Sequence, residues 1–178
     1  YENLIALAHD AHFNMLRVWG GGVYADDYFY ELCDQNGILV WQDFMFSCAF
    51  YPFDNSIAKN LSHEAPDNVV RIRNHPSLAL WCGNNEIDEA WHNWGYQEKY
   101  NWSEEDSVDI WSQYKGLFHD FLPEVLLYND PATDYITTSP KYGWGRSQSM
   151  THGDSHYWGV WWGNQPFEIY KEKTGRFM

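Results

Sequence analysis

Hydrophobic positions along the chain predict alternating helices and buried strands. Apolar residues at helical spacing over 4–12 precede a short apolar strand over 13–19, and a second helix, capped by Asp26, ends at Asn36-Gly37. The same alternation then continues, with strands at 38–44, 77–82, 134–138 and 153–158 and helices at 62–73, 104–121 and 167–173. Strands that are apolar throughout, each joined to a helix, are typical of a parallel sheet covered by helices.

The alternation fits two architectures. A (β/α)8 barrel and a doubly wound sheet both alternate strand and helix, so the pattern alone leaves both open. A complete barrel typically needs about 250 residues, and this chain has 178. The length therefore permits one domain or part of one.

Charge and composition narrow the classes of ligand. Lys and Arg total 11 against 25 Asp and Glu, a net charge of −14, which argues against nucleic acid and anionic membrane surfaces as partners. Aromatic residues form 19% of the chain, with 11 Trp, and flat aromatic faces suit the C–H faces of sugar rings, although most of them are expected in the core. The Cys and His spacings match no metal motif, so neither a metal nor another cofactor is expected.

Polar and aromatic residues gather where the predicted strands end. In a parallel barrel, functional residues lie at the carboxyl ends of strands and in the loops that follow. A charged side chain next to a buried apolar strand is costly unless it is paired, so such residues are expected either to have a partner or to serve a function. The residues in these positions are Arg17, Trp19, Gly20-Gly21-Gly22, Trp41, Asp43, Phe44, Asn84, Asn85, Glu86, Ser139, His156, Tyr157 and Trp158.

Glu86 is the sharpest candidate. A carboxylic acid at the mouth of an apolar strand, among Trp residues, is expected to have a raised pKa and to donate a proton to a leaving oxygen. Asn85 could hydrogen-bond a sugar hydroxyl beside it. A structural role fits the position equally well, because Glu86 could cap the next helix or pair with Arg17.

Four motifs follow one another along the chain: Leu16-Arg17-Val18-Trp19-Gly20-Gly21-Gly22, Tyr30-Glu31-Leu32-Cys33-Asp34 with Gly37-Ile38, Val40-Trp41-Gln42-Asp43-Phe44-Met45-Phe46, and His75-Pro76-Ser77 with Trp81-Cys82-Gly83-Asn84-Asn85-Glu86. In this order they resemble the catalytic barrel of family 2 β-mannosidases, in clan A of the glycosidases. The similarity covers nearly the whole chain, is best over residues 13–90 and weakens over 91–150. Family 2 β-galactosidases and β-glucuronidases resemble it less, because they usually carry an Arg-Thr-Ser-His-Tyr-like first strand in place of Arg17-Val18-Trp19-Gly20.

The resemblance implies a fold and a reaction. Residues 1–178 would form an incomplete (β/α)8 TIM barrel, about strands two to six, from a retaining exo-β-mannosidase that hydrolyses terminal non-reducing β-mannose residues. Glu86 would be the general acid/base. The nucleophile would be a Glu just beyond Met178, because Gly175-Arg176-Phe177-Met178 looks like the lead-in to its motif. The chain alone is therefore expected to be inactive.

The resemblance also implies roles for further residues. Arg17 would support the ionised nucleophile, Trp19 would form a wall of the glycone site, and Asp43 would bind sugar hydroxyls. Trp94 would border the site, and Tyr157, next to His156 in the sequence, would hydrogen-bond the nucleophile.

The expected partners are a β-mannoside glycoside or oligosaccharide and the rest of the parent chain, with β-sandwich domains and barrel strands 1, 7 and 8. A homo-oligomer is compatible with the exposed sheet edges. Two other functions stay open: another family 2 β-glycosidase, such as a β-galactosidase or β-glucuronidase, and a non-catalytic, aromatic-rich sugar-binding domain.

Overall fold

Four parallel strands form one sheet in the computed structural model, which describes residues 1–143 and 146–173. The strands follow one another across the sheet in chain order. They are β1 (Met15–Val18), β2 (Leu39–Asp43), β3 (Leu78–Cys82) and β4 (Asp134–Ile136). The expected lead-in motif at 175–178 lies outside the described residues.

Helices precede and connect these strands. The helices are α1 (Glu2–Asp10), α2 (Asp27–Asn36), α3 (Asn55–Ile72), α4 (Ile87–Asn93), α5 (Tyr96–Lys99), α6 (Glu104–Lys115) and α7 (Leu122–Asn129). A π-helical segment, Gly116–Phe121, joins α6 to α7, and 3₁₀ turns occupy Ser147–Met150 and Phe167–Lys171. None of the helices in the described ranges is both long and apolar enough to span a bilayer.

Local capping explains several helix boundaries. Asp26 caps α2 by accepting a hydrogen bond from the Phe29 amide, and Gly37 ends it in the left-handed conformation at φ 65°. The third helix begins at Asn55, earlier than predicted, because the Asp54 side chain caps it by accepting from the Ser56 and Ile57 amides. The predicted helix over 104–121 was too short, since the π-helical segment carries it into α7.

The two faces of the sheet differ. One face packs beneath the helices, and Val40, Gln42 and Trp81 on this face are fully buried. The opposite face, with Met15 and Trp41, lines a cavity of about 670 Å³. The helices that pack against the sheet therefore cover one face of it, whereas a doubly wound sheet has helices on both.

The predicted fifth strand at 153–158 is wrong: this segment has no strand structure. Gly153 adopts φ 67°, which interrupts extended backbone at its first residue. Asp154 accepts a hydrogen bond from the Lys141 amide, so a side chain rather than a strand ladder ties the segment to the sheet. The predicted helix over 167–173 is a 3₁₀ turn that ends at Lys171.

Candidate functional site

Asn85 links the loops at the carboxyl edge of the sheet. It forms isolated parallel bridges with Ser47, which follows β2, and with Ser139, which follows β4. Glu86 comes next, at φ 61°, in the N-cap position of α4, but its side chain makes no capping hydrogen bond. The carboxylate is therefore turned away from the helix it precedes.

Asp43, the last residue of β2, forms a bidentate ion pair with Arg17 of β1. Arg17 donates from Nε to Oδ1 at 3.1 Å and from Nη2 to Oδ2 at 2.7 Å. Trp41 Nε1 also donates to Oδ1, and the Gly20 amide donates to Oδ2, each at 2.9 Å. Asp43 is fully buried, and its expected contact with a sugar hydroxyl stays a prediction. Arg17 pairs with Asp43 and not with Glu86.

Among the residues that the structure describes, three contact the carboxylate of Glu86. Nδ1 of His156 lies 2.8 Å from Oε1 and Trp158 Nε1 donates to the same oxygen at 3.4 Å. Cys48 Sγ approaches Oε2 at 3.7 Å. The Glu86 side chain remains 12% exposed, so it is held by protein groups and still reaches solvent.

The pKa of Glu86 is lowered, contrary to the sequence-based expectation of a raised pKa. Burial raises it, but the hydrogen bond and charge of His156, followed by the hydrogen bonds of Trp158 and Cys48, outweigh burial. The prediction considered the apolar strand and omitted donors from distant parts of the chain.

The other ring nitrogen of His156, Nε2, lies close to the side chains of Ser139 and Arg17. Nε2 lies 3.0 Å from Ser139 Oγ and 3.3 Å from Arg17 Nη1. Ser139 Oγ in turn donates to Asp154 Oδ2. The carboxyl ends of β1 and β4 and the loop after β4 thus form one network around His156.

Glu86 opens into a cleft of about 790 Å³ with aromatic walls. Six of the predicted residues line it: Arg17, Trp19, Asn85, Glu86, His156 and Tyr157. Trp94 does not line this cleft, and its ring packs against Tyr96 with centroids 5.6 Å apart. Trp158, which the sequence placed at a strand end without a role, also lines the cleft. The lining residues that carried no prediction are Cys48, Ser155, Trp161 and Tyr170.

The sequence carried little signal for the lining residues that had no prediction. Cys48 carried no signal, because its approach to Glu86 depends on a loop conformation with φ 54° at the cysteine. Within residues 1–143 and 146–173, no group of three or more His, Cys, Asp or Glu side chains is arranged to hold a metal ion.

Curated proteins resemble the chain over nearly its full length, whereas no family model matches it. β-Mannosidase B of Aspergillus fumigatus is 40% identical over 185 residues, which cover 99% of the chain and 21% of that protein. β-Mannosidase B of Thermothelomyces thermophilus is 36% identical over 191 residues, covering 100% of the chain and 21% of that protein. The chain therefore spans about a fifth of the length of these relatives.

Solved structures extend the similarity to the fold. The crystal structure of the β-D-mannosidase from Dictyoglomus thermophilum matches 99% of the chain and 20% of its own length, with a TM-score of 0.83 and 42% identity. β-Glucuronidase 3 of Bacteroides uniformis matches 99% of the chain and 21% of its own length, with a TM-score of 0.58. At 21% identity, this second likeness shows the fold alone.

Proposed function

The chain belongs to the family 2 β-mannosidases among the glycoside hydrolases, and on that premise we propose that it carries the acid/base half of a retaining exo-β-mannosidase site. The observation that carries the proposal is Glu86 itself. Its carboxylate stands at the end of β3, is held by His156 and Trp158, and opens into an aromatic-walled cleft. The substrate would be a glycoside or oligosaccharide with a terminal β-mannose residue.

The four-stranded sheet would be part of a (β/α)8 barrel. Strand order without reversal and helices packed on one face both fit a barrel wall. The opposite face, which borders the 670 Å³ cavity, would then point into the barrel interior. The remaining strands and the β-sandwich domains would come from the rest of the full-length enzyme.

Glu86 would work twice in each turnover. It first protonates the leaving oxygen, and then removes a proton from the water that cleaves the glycosyl-enzyme. A retaining pair holds its two carboxyls about 5 to 5.5 Å apart. Asp43 is committed to Arg17, so we assign the nucleophile to a Glu in the remainder of the enzyme, beyond the segment described here.

The supporting residues divide by position. Arg17 and Tyr157 line the cleft near Glu86, where they would steady the ionised nucleophile. Asn85 adjoins Glu86 and would bind a sugar hydroxyl. Trp19, which is 49% exposed, would stack on the mannose ring. Trp94 lies outside the cleft, and we propose for it a place on the rim of the assembled site.

Replacement of Glu86 in the full-length enzyme tests the proposal. Glu86→Ala should lower kcat on mannobiose about 10²- to 10⁴-fold, the usual contribution of a general acid. Azide should restore turnover of an activated aryl β-mannoside and yield β-mannosyl azide, because the glycosyl-enzyme still forms when the leaving group needs no proton.

Glu89→Gln is a matched control. Glu89 is a buried carboxyl on α4 with a pKa raised by burial, but it does not line the cleft. It should retain activity without any response to azide. Unchanged hydrolysis by Glu86→Ala, or azide rescue of Glu89→Gln, would reject Glu86 as the acid/base. Parallel rates on aryl galactoside and glucuronide test the choice of mannose.

A further inference from the structure

The two oxygens of Glu86 have unequal surroundings. Oε1 lies against two N–H groups, His156 Nδ1 at 2.8 Å and Trp158 Nε1 at 3.4 Å. Oε2 meets the Cys48 thiol at 3.7 Å, and a thiol is a weak hydrogen-bond donor. An oxygen that already accepts two N–H groups is a poor place for a proton, so a proton on Glu86 belongs on Oε2.

The His156 ring, which contacts Oε1 through Nδ1, is contacted at its other nitrogen by Ser139. Ser139 Oγ donates its one proton to Asp154 Oδ2, which leaves a lone pair for His156 Nε2 at 3.0 Å. The second oxygen of Asp154 accepts from the Lys141 amide at 2.8 Å. A continuous chain therefore runs from Asp154 through Ser139 and His156 to Glu86.

The charges that face His156 come from three directions. Glu86 and Asp154 are the acidic groups, with Asp154 Oδ2 at 3.7 Å from Nε2. Arg17 Nη1, at 3.3 Å from Nε2, is the opposing cation, and its charge is engaged by Asp43.

Resting on the proposed role of Glu86, we propose that Ser139 and Asp154 are positioning residues of the acid/base, which orient His156 so that it grips Oε1 and leaves Oε2 to deliver the proton. Ser139 is fully buried. Neither residue is among those lining the cleft of Glu86, and both border the neighbouring cavity beneath it. They act through His156 and not on the substrate.

The proton transfer then has a defined course. The Oε2–H bond of Glu86 breaks as the leaving oxygen takes the proton. The glycosidic C–O bond breaks with its electron pair passing to that oxygen, while the nucleophile carboxylate that we assign to the rest of the enzyme forms a bond to the anomeric carbon. The new carboxylate is stabilised at Oε1 by the N–H groups of His156 and Trp158. These hydrogen bonds also account for much of the lowered pKa of Glu86.

Leaving-group dependence in the full-length enzyme tests this proposal. Ser139→Ala and Asp154→Asn should lower kcat/KM for mannobiose about tenfold, and for 2,4-dinitrophenyl β-mannoside less than about twofold, because that leaving group needs no acid. The basic limb of kcat/KM should move to higher pH, because a poorly placed His156 no longer lowers the pKa of Glu86. Ser139→Thr, which keeps the hydroxyl, should restore both properties.

Thr151→Ala removes an exposed hydroxyl in the same loop and serves as the control. Thermal melting first identifies which of the two test variants is folded, and either one alone suffices. Equal losses of kcat/KM on mannobiose and on the dinitrophenyl mannoside would overturn the proposal. So would a pH profile of kcat/KM whose basic limb does not move. If azide rescue of Glu86→Ala is intact in that case, the positioning role fails while the acid/base assignment stands.

Discussion

Asp43→Asn should destabilise the enzyme far more than the same substitution at an exposed ion pair. Each oxygen of Asp43 accepts two hydrogen bonds: Oδ1 from Arg17 Nε and Trp41 Nε1, and Oδ2 from Arg17 Nη2 and the Gly20 amide. An amide replaces one oxygen by an NH₂ group. In either orientation that group faces two donors, so two hydrogen bonds are lost and the Arg17 charge is left without its partner.

The magnitude follows from burial. Removing one partner of a buried ion pair costs about 3–5 kcal/mol. The Arg17 side chain is 25% exposed and Asp43 is fully buried, so water recovers part of the loss and we expect about 2–4 kcal/mol. Since 1 kcal/mol shifts the melting temperature of a domain of 150–250 residues by about 2–4 °C, the drop should be on the order of 10 °C.

Asp27→Asn supplies the matched control. Asp27 pairs with Arg71 at 2.6 Å, about as closely as Asp43 pairs with Arg17, but its side chain is 60% exposed. Exposed pairs contribute at most about 1 kcal/mol, so its melting temperature should fall by no more than about 2–4 °C. Thermal unfolding of the two full-length variants, followed by circular dichroism and residual activity, makes the comparison. Equal shifts for the two variants would refute the argument from burial.

Two further predictions concern the frame of the site. Gly20→Ala should lower the melting temperature markedly, because a Cβ at this position would lie 2.6 Å from two backbone carbonyl oxygens. Gly22→Ala is the control, since the nearest backbone oxygen to a Cβ there is 3.3 Å away. A Gly22→Ala variant with a lower melting temperature than Gly20→Ala would contradict this. Burial raises the pKa of Asp34, but hydrogen bonds from Ser77 and His75 outweigh burial, so the pKa in the folded protein is lowered. The stability that the ionised Asp34 contributes is therefore present above the unfolded pKa of about 4 and is lost as pH falls through the lower folded pKa. Asp34→Asn should therefore cost about 1 kcal/mol at pH 7 and flatten the acid loss of stability in denaturant titrations; an unchanged acid limb would show that Asp34 does not contribute.

The sequence by itself determined the strands of the sheet and most residues of the cleft. The second helix was predictable because its cap at Asp26 and its end at Gly37 act within a few residues. Strand ends were predictable sites because the carboxyl ends of parallel strands share one edge. Arg17, Asn85 and Glu86 accordingly meet at the same cleft.

The tertiary structure alone decided what each side chain does there. The direction of the Glu86 pKa depends on His156, which lies 70 residues further along the chain. Most of the donors that surround the buried Asp43 carboxylate come from β1 and the loop after it. Residues 153–158 do not form the predicted strand, and Asp154 in this segment accepts a hydrogen bond from the Lys141 amide instead. Short-range patterns specify elements because capping and periodicity are local, but charge, hydrogen bonding and solvent access are set by neighbours that folding brings together.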